Sequence, residues 1–331
     1  MVNRKLRGVA LITVMLLVAL AAVIATQMLA RIQLQTQRTT NIAFNQQAYW
    51  YAMGAEAFAK RVLITAFKDE PNMTHLQQIW AQGETSYPVD FGNITGEITD
   101  QQSCFNLNAL KKAAEQSAAP NNKTVAREVF ERLILTLDIE NIGASTFEAE
   151  QLGDALTDWL DSDSNISNVG GAEDNDYASK QHPYLSANNY LASVNELRVV
   201  EHFTLDVIHA LKPFICVIPN TELHQININT LSTEQPELLA ALLDISTVDA
   251  QELLSLRLEE GYENKDDFFN APEVSKLNIE EDLKEQFVVD SEYFKLKASA
   301  SFNNSYFAMK SLLKVVNNSD ITVISRMVGR D

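Results

Sequence analysis

From Val9 to Ala30 the chain carries no charge, no proline and no glycine. As a helix rising about 1.5 Å per residue, such a run crosses a hydrocarbon core of roughly 30 Å. A cleaved secretory leader would have a shorter apolar core, then small residues, then a mature domain unrelated to it. Here the helical pattern continues. Ile32, Leu34, Ile42, Phe44, Tyr49, Trp50, Met53 and Phe58 are interleaved with glutamines and threonines, and the first proline is Pro71. The pattern predicts one helix of about 55 residues, roughly 80 Å long, with a first half suited to lipid and a second half suited to a protein surface. Arg4, Lys5 and Arg7 precede the apolar run, so the positive-inside bias predicts a cytoplasmic N-terminus and an extracytoplasmic body.

A short basic leader ending in Gly8, an apolar helix starting at Val9 and an amphipathic continuation resemble type IV prepilins and the pseudopilins of type II secretion. The resemblance implies that a membrane-embedded prepilin peptidase cuts between Gly8 and Val9, that the helix is kept, and that the new N-terminus is methylated. It implies a single-pass protein of the bacterial inner membrane with a periplasmic body. Pilins carry a glutamate five residues into the mature chain; here that position is Thr13. A carboxylate within the bilayer is costly unless paired, and in the family its partner is the N-terminal amine of the preceding subunit. A first subunit has no predecessor. The missing charge and the length of the chain resemble the K-type minor pseudopilins of the pseudopilus tip. The implied partners are the I-type and J-type minor pseudopilins, the inner-membrane assembly platform, the prepilin peptidase and the exported substrate. The alternative is an ordinary anchor that happens to follow a glycine.

With 331 residues, 46% of them hydrophobic, the chain has room for about two domains beyond the anchor. A net charge of −18 argues against nucleic acid as a partner through a broad basic face. Cys104 and Cys216 fall in the region placed outside the cytoplasm, where a single disulfide is the natural reading and two buried thiols the alternative. Their flanks share an Asn-hydrophobic-Asn pattern, "CFNLNAL" near the first and "ININTL" after the second, each preceded by a strand-like stretch. We expect those strands to lie together with the chain between them inserted as a lobe, a plan that matches the K-type family. The fold class expected is α+β: a long pilin-like N-terminal transmembrane helix on an antiparallel β-sheet, with a large inserted α-helical domain. The expected division is a leader over 1–8, a transmembrane helix over 9–30 and pilin-like helix and first strands over 31–108. An inserted helical domain with an acidic loop follows over 109–222, then a helix-hairpin-helix-like module over 223–285 and a C-terminal β-meander over 286–331. Within the insertion, helical spacing marks 123–139, 147–163 and 193–211, the last with a Ser193/Glu196 capping box.

The stretch 158–189 concentrates Asp158, Asp161, Asp163, Glu173, Asp174 and Asp176 around Gly170-Gly171, read as a flexible hinge. Calcium takes six to eight hard oxygens in irregular geometry, and alternate aspartates in a loop suit it; a solvated acidic loop is the alternative. The stretch also resembles a K-type motif, here Trp159, Asp161, Asp163, Gly171, Ala172, Glu173, Asp174, Tyr177, Pro183, Tyr184, Ser193, Glu196, Leu197 and Arg198. By that resemblance calcium is the expected cofactor, with Asp161, Asp163, Glu173, Asp174 and Asp176 as its ligands.

Residues 224–269 resemble a helix-hairpin-helix module, the basis of an alternative reading as a membrane-anchored DNA-handling protein. DNA-binding versions hold phosphate on a glycine-rich hairpin, whereas this turn reads "LDISTVDA", with Asp244 and Asp249 and no glycine. Two carboxylates repel phosphate. The five histidines are scattered, and there is no zinc-protease, nucleophile-elbow, phosphate-loop or dinucleotide motif, so no enzyme activity is expected.

Overall fold

A computed structural model describes residues 6–111, 123–139 and 145–329; the leader residues Arg4 and Lys5 lie outside it. Helix α1 (Leu6–Asp69) runs for 64 residues, roughly 95 Å at the standard rise. It is longer than its sequence pattern predicts because nothing stops it before Pro71, which lacks an N–H and disfavours helix in the residue before it. Every residue from Val9 to Ala43 is exposed, so this part projects from the body. Beyond it Ala48, Ala52, Ala55, Ala59, Leu63 and Ala66 form the buried stripe. Their small side chains let the helix backbone sit close to a sheet.

Strands β1 (Thr85–Val89) and β2 (Gly92–Asp100) follow as a hairpin. Sequence patterning did not reveal β1, whose Pro88 is tolerated because the strand forms the sheet edge. The chain then leaves the sheet and builds two helical modules. The first comprises β3 (Phe105–Asn106), α2 (Val125–Thr136), α3 (Thr146–Leu160), α4 (Asp174–Ala178), α5 (Leu205–Leu211) and β4 (Ile215–Cys216). The second comprises β5 (Ile226–Asn227), α6 (Glu237–Leu243), α7 (Thr247–Leu256), α8 (Lys265–Phe269), α9 (Glu281–Lys284) and β6 (Phe287–Val288). Each is closed by a two-residue parallel pair, β3 with β4 and β5 with β6. One continuous apolar core extends from Phe105 through both modules to Phe287.

The chain returns to the sheet as β7 (Tyr293–Phe302), β8 (Ser305–Asn317) and β9 (Asp320–Val328). The five-stranded sheet has the order β1-β2-β7-β8-β9, antiparallel throughout. Along β7 the alternation is clean: Phe294, Leu296, Ala298 and Ala300 are buried towards α1, while Lys295, Lys297 and Ser299 face the other way. The turn between β7 and β8 is made by Asn303 and Asn304 alone, since Ser305 already pairs with Phe302, and Asn303 takes a φ of 48°. Phe287–Val288, which alternation assigns to the terminal meander, closes the second module instead. The single helix expected over 193–211 is divided. A 3-10 turn with the expected Ser193/Glu196 capping box spans Val194–Val199, His202 takes a φ of 66°, and Thr204 caps α5.

Two polar contacts hold the layers together. Glu56, buried on α1, accepts from Ser311 Oγ at 2.6 Å and from Arg326 Nε and Nη2 at 2.7 and 2.8 Å. Burial pushes this carboxyl up, yet the Arg326 and Ser311 hydrogen bonds and the guanidinium charge outweigh it and hold it below the ordinary value. At the end of β2, fully buried Asp100 accepts from Thr230 Oγ1 (2.6 Å), Ser291 Oγ (2.7 Å) and Gln102 N (2.7 Å). Asn227 Nδ2 adds bonds to Ser291 Oγ (2.8 Å) and to the carbonyl of Thr74 (3.0 Å), beyond the end of α1. Helix, sheet and second module therefore meet at one buried polar hub. Asp100→Ala strips the acceptor from two hydroxyls and an amide, and is expected to cost about 2–3 kcal/mol in denaturant unfolding of the detergent-solubilised chain. Asp100→Asn, which keeps one acceptor oxygen, is expected to cost less.

Candidate functional site

Thr13 lies in the projecting part of α1, and its hydroxyl donates to the carbonyl of Ala10 at 2.9 Å. The position is uncharged and its one donor is satisfied within its own helix. Val9 opens the exposed apolar face four residues earlier, and the backbone is already helical at Gly8.

The acidic stretch folds against the end of α3. Asp161, Asp163 and Glu173 each offer a carboxylate oxygen, and the three lie within 4.8 Å of one another. Asp161 and Glu173 are buried and Asp163 is exposed. Asp161 Oδ1 and Glu173 Oε1 are shielded from solvent without a hydrogen-bond donor, and so is Oδ1 of Asn188. Asn188 is tied to the same place by its Nδ2, which donates to the carbonyl of Asp163 at 2.9 Å. Burial, followed by the charge of Asp163, pushes Asp161 up to about 6. Burial, with Asp161 and Asp158 nearby, pushes Glu173 up to about 7. Buried oxygens that lack donors and repel one another make a set complementary to a hard cation.

The other expected ligands are engaged elsewhere. Asp174 Oδ1 accepts from Ser186 N (3.1 Å) and Ser186 Oγ (2.8 Å), and Asp176 Oδ2 accepts from Glu173 N (2.9 Å). They brace the loop and the first turn of α4. Asp158 is fully buried beneath the loop and accepts from Ser167 N at 3.2 Å. Gly170 and Gly171 are packing positions rather than a hinge: a Cβ on Gly170 would run into the backbone of Gln151, and one on Gly171 into Asp158 and Ile166. Asp154 reinforces this fit by accepting from Gly170 N (3.3 Å) and Arg127 Nη2 (2.9 Å). The aromatic motif residues form a cluster behind the loop. Trp159 and Tyr177 meet edge to face at 5.1 Å, Tyr184 stacks on Tyr177 at 5.2 Å, and Lys180 lies over both tyrosines while pairing with Glu201.

Cys104 and Cys216 are joined by a disulfide, with Cα atoms 5.8 Å apart, at the start and end of the first module. The Asn-x-Asn segments beside them do the same work in both modules. Asn108 Nδ2 donates to the carbonyls of Leu191 and Ile218, both at 3.0 Å, and Asn229 Nδ2 donates to those of Tyr262 (3.0 Å) and Val289 (3.4 Å).

In the helix-hairpin-helix-like segment, Asp244 occupies the left-handed position after α6 (φ 53°) that glycine would otherwise take. Ser246 Oγ accepts from Asp249 N (3.1 Å) and donates to Asp249 Oδ2 (2.7 Å), so a carboxylate already occupies the start of α7. His202 precedes α5, and its ring contacts the carbonyl of Gly170.

Two models of the family described as type II secretion system (T2SS), protein K, match the chain, over residues 103–220 and 226–290. A type II secretion system protein K of Aeromonas hydrophila is 34% identical over 334 residues, covering 98% of each chain. The chain belongs to the type II secretion system protein K family. The Klebsiella pneumoniae protein K is 35% identical over 314 residues, covering 94% of this chain and 93% of the relative. A chain in the crystal structure of the GspK-GspI-GspJ complex from the type 2 secretion system of enterotoxigenic Escherichia coli has a TM-score of 0.78 and 32% identity. That match covers 89% of this chain and all of the other. This protein K is thus a minor pseudopilin of type II secretion, with the helix-on-sheet body and helical insertion its sequence implies. The likeness of residues 224–269 to DNA-binding modules is one of helical packing.

Sequence reasoning missed Asn188 because a lone asparagine has no motif; only the fold, which holds it at a left-handed φ of 46° and bonds its Nδ2 to the carbonyl of Asp163, brings it to the carboxylates. Gly171→Ala, which drives a methyl into Asp158 and Ile166, is expected to destabilise the first module by about 1–3 kcal/mol. The denaturation midpoint measures it, and an unchanged midpoint would restore the hinge.

Proposed function

We propose that this protein K is the terminal subunit of a periplasmic pseudopilus, made by prepilin-peptidase cleavage between Gly8 and Val9 and anchored by its retained helix in the inner membrane. The observation that carries the reading is Thr13. Its hydroxyl is bonded within α1, so the mature helix needs no amine from an earlier subunit. The bulk of two helical modules beside the sheet supports the same position, because a subunit stacked above would collide with them. I-type and J-type minor pseudopilins are its partners, in keeping with the complex its structural neighbour comes from. The assembly platform and the exported substrate are its further contacts, and it works by assembly rather than catalysis.

Co-expression with I-type and J-type subunits should yield a complex that co-purifies in detergent. Thr13→Glu leaves an unpaired carboxylate in the bilayer, a cost of about 2–3 kcal/mol, and is expected to reduce both complex and secretion; Thr13→Val should leave both intact. Equal activity of Thr13→Glu would remove the argument from charge.

Asp161, Asp163, Glu173 and Asn188 would hold a calcium ion, which supplies the positive charge their oxygens lack and ties the acidic loop to α3. Without metal, the folded protein retains protons on Asp161 and Glu173 that the unfolded chain releases, because their values rise from 3.8 to about 6 and from 4.5 to about 7. Metal-free stability therefore falls as pH rises through that window. Calcium at a hundredfold over its dissociation constant is expected to raise the melting temperature by roughly 4 °C at pH 7.5 and by much less at pH 5. Identical melting in calcium and in chelator at both pH values would exclude the site.

A further inference from the structure

We propose that the outer face of the sheet, where it meets the first module, docks an extended acidic segment of a partner protein. The chain holds 26 basic and 44 acidic residues, yet this face gathers lysines. Lys295 and Lys297 project from it on β7, Lys310 stands directly opposite Lys297 on β8, and Lys212 follows α5. Like charges placed directly opposite each other in a sheet are destabilising. Glu97, across from Lys297 on β2, bonds it at 3.0 Å.

Lys295 is placed differently. Its strand neighbours are Thr99 and Leu312, and its half-buried ammonium has neither an ion pair nor a hydrogen bond among the described residues. It lines, with Lys212, a cleft of about 210 Å³ between sheet and insertion that also presents Thr99, Ser103 and Gln235. Asp100 also lines the cleft, but its oxygens serve the buried hub. Burial, with Lys297 and Lys310 adding repulsion, pulls the Lys295 ammonium down to about 8. A carboxylate seated in the cleft would relieve both effects.

The form of the patch selects an extended segment. Lys295 and Lys297 are two residues apart on one strand face, a separation of roughly 6.5–7 Å that matches alternate side chains of an extended peptide. Beyond Lys297 a second hollow, of about 170 Å³, is lined by Lys297, Lys310, Ser299 and Tyr306 together with Glu84 and Glu97. Lys295 and Lys297 therefore carry positive charge along β7 from the cleft to the hollow, a length that a single phosphate cannot span. Two separate hollows break this face, and a planar membrane does not fill them.

The test is fluorescence anisotropy of a labelled Glu-Thr-Glu-Thr-Glu peptide with the full chain in detergent. Binding should weaken at least tenfold in Lys295→Gln/Lys297→Gln and steeply with added salt. It should be unchanged in Lys68→Gln/Lys276→Gln, which alters two exposed lysines away from the patch. Lys295→Gln alone should raise the melting temperature by a few degrees while weakening binding, which separates lost recognition from lost folding. Full affinity in the double variant, equal affinity for Gln-Thr-Gln-Thr-Gln, or lysine-dependent binding of inorganic phosphate or phosphatidylglycerol vesicles in place of the peptide would each overturn the proposal.

Discussion

The rest of the structure depends on the close seat of α1 on the sheet. Ala48, Ala52, Ala55 and Ala59 keep that face of the helix thin, and Phe294, Leu296, Ala298 and Ala300 meet it from β7. A thin contact gives little apolar area per residue, so its length matters, and so does the Glu56–Arg326–Ser311 cluster that fixes its register. One rigid helix thereby joins a lipid-suited segment to a folded body. Force or displacement at the membrane end is carried into the sheet without passing through a flexible joint.

The sheet in turn positions the modules through short devices used twice. Each module opens on an Asn-x-Asn segment, closes with a two-residue parallel pair, and uses side-chain amides to bond backbone groups that no long strand satisfies. The disulfide reinforces the first closure and the Asp100 hub the second. Both sit at the root of the insertion, so the acidic loop at the end of α3 is held at a fixed place relative to α1.

Much of this was legible in the sequence, because the signals were long or strongly patterned. The uncharged run from Val9, the alternation along β7 and β8, and the Ser193/Glu196 capping box mark their elements directly. The missed features depend on tertiary context. Nothing local distinguishes Glu56 from a surface glutamate until Arg326, 270 residues away, is placed beside it. Gly170 and Gly171 read as a hinge, since composition does not show that Gln151 and Asp158 fill the space a side chain would need. The five expected ligands look equivalent in the sequence, but the fold gathers Asp161, Asp163 and Glu173 and turns Asp174 and Asp176 to hydrogen bonds with Ser186 and the backbone.

The mechanism needs an apolar rod that survives maturation and carries no charge at Thr13. Intact-mass and N-terminal analysis of the protein extracted from membranes of cells with active prepilin peptidase tests this most directly. The account predicts a chain that starts at Val9, eight residues shorter than its precursor and with the whole apolar segment present. A chain that starts beyond Ala30, or one that keeps Met1 in such cells, would contradict it.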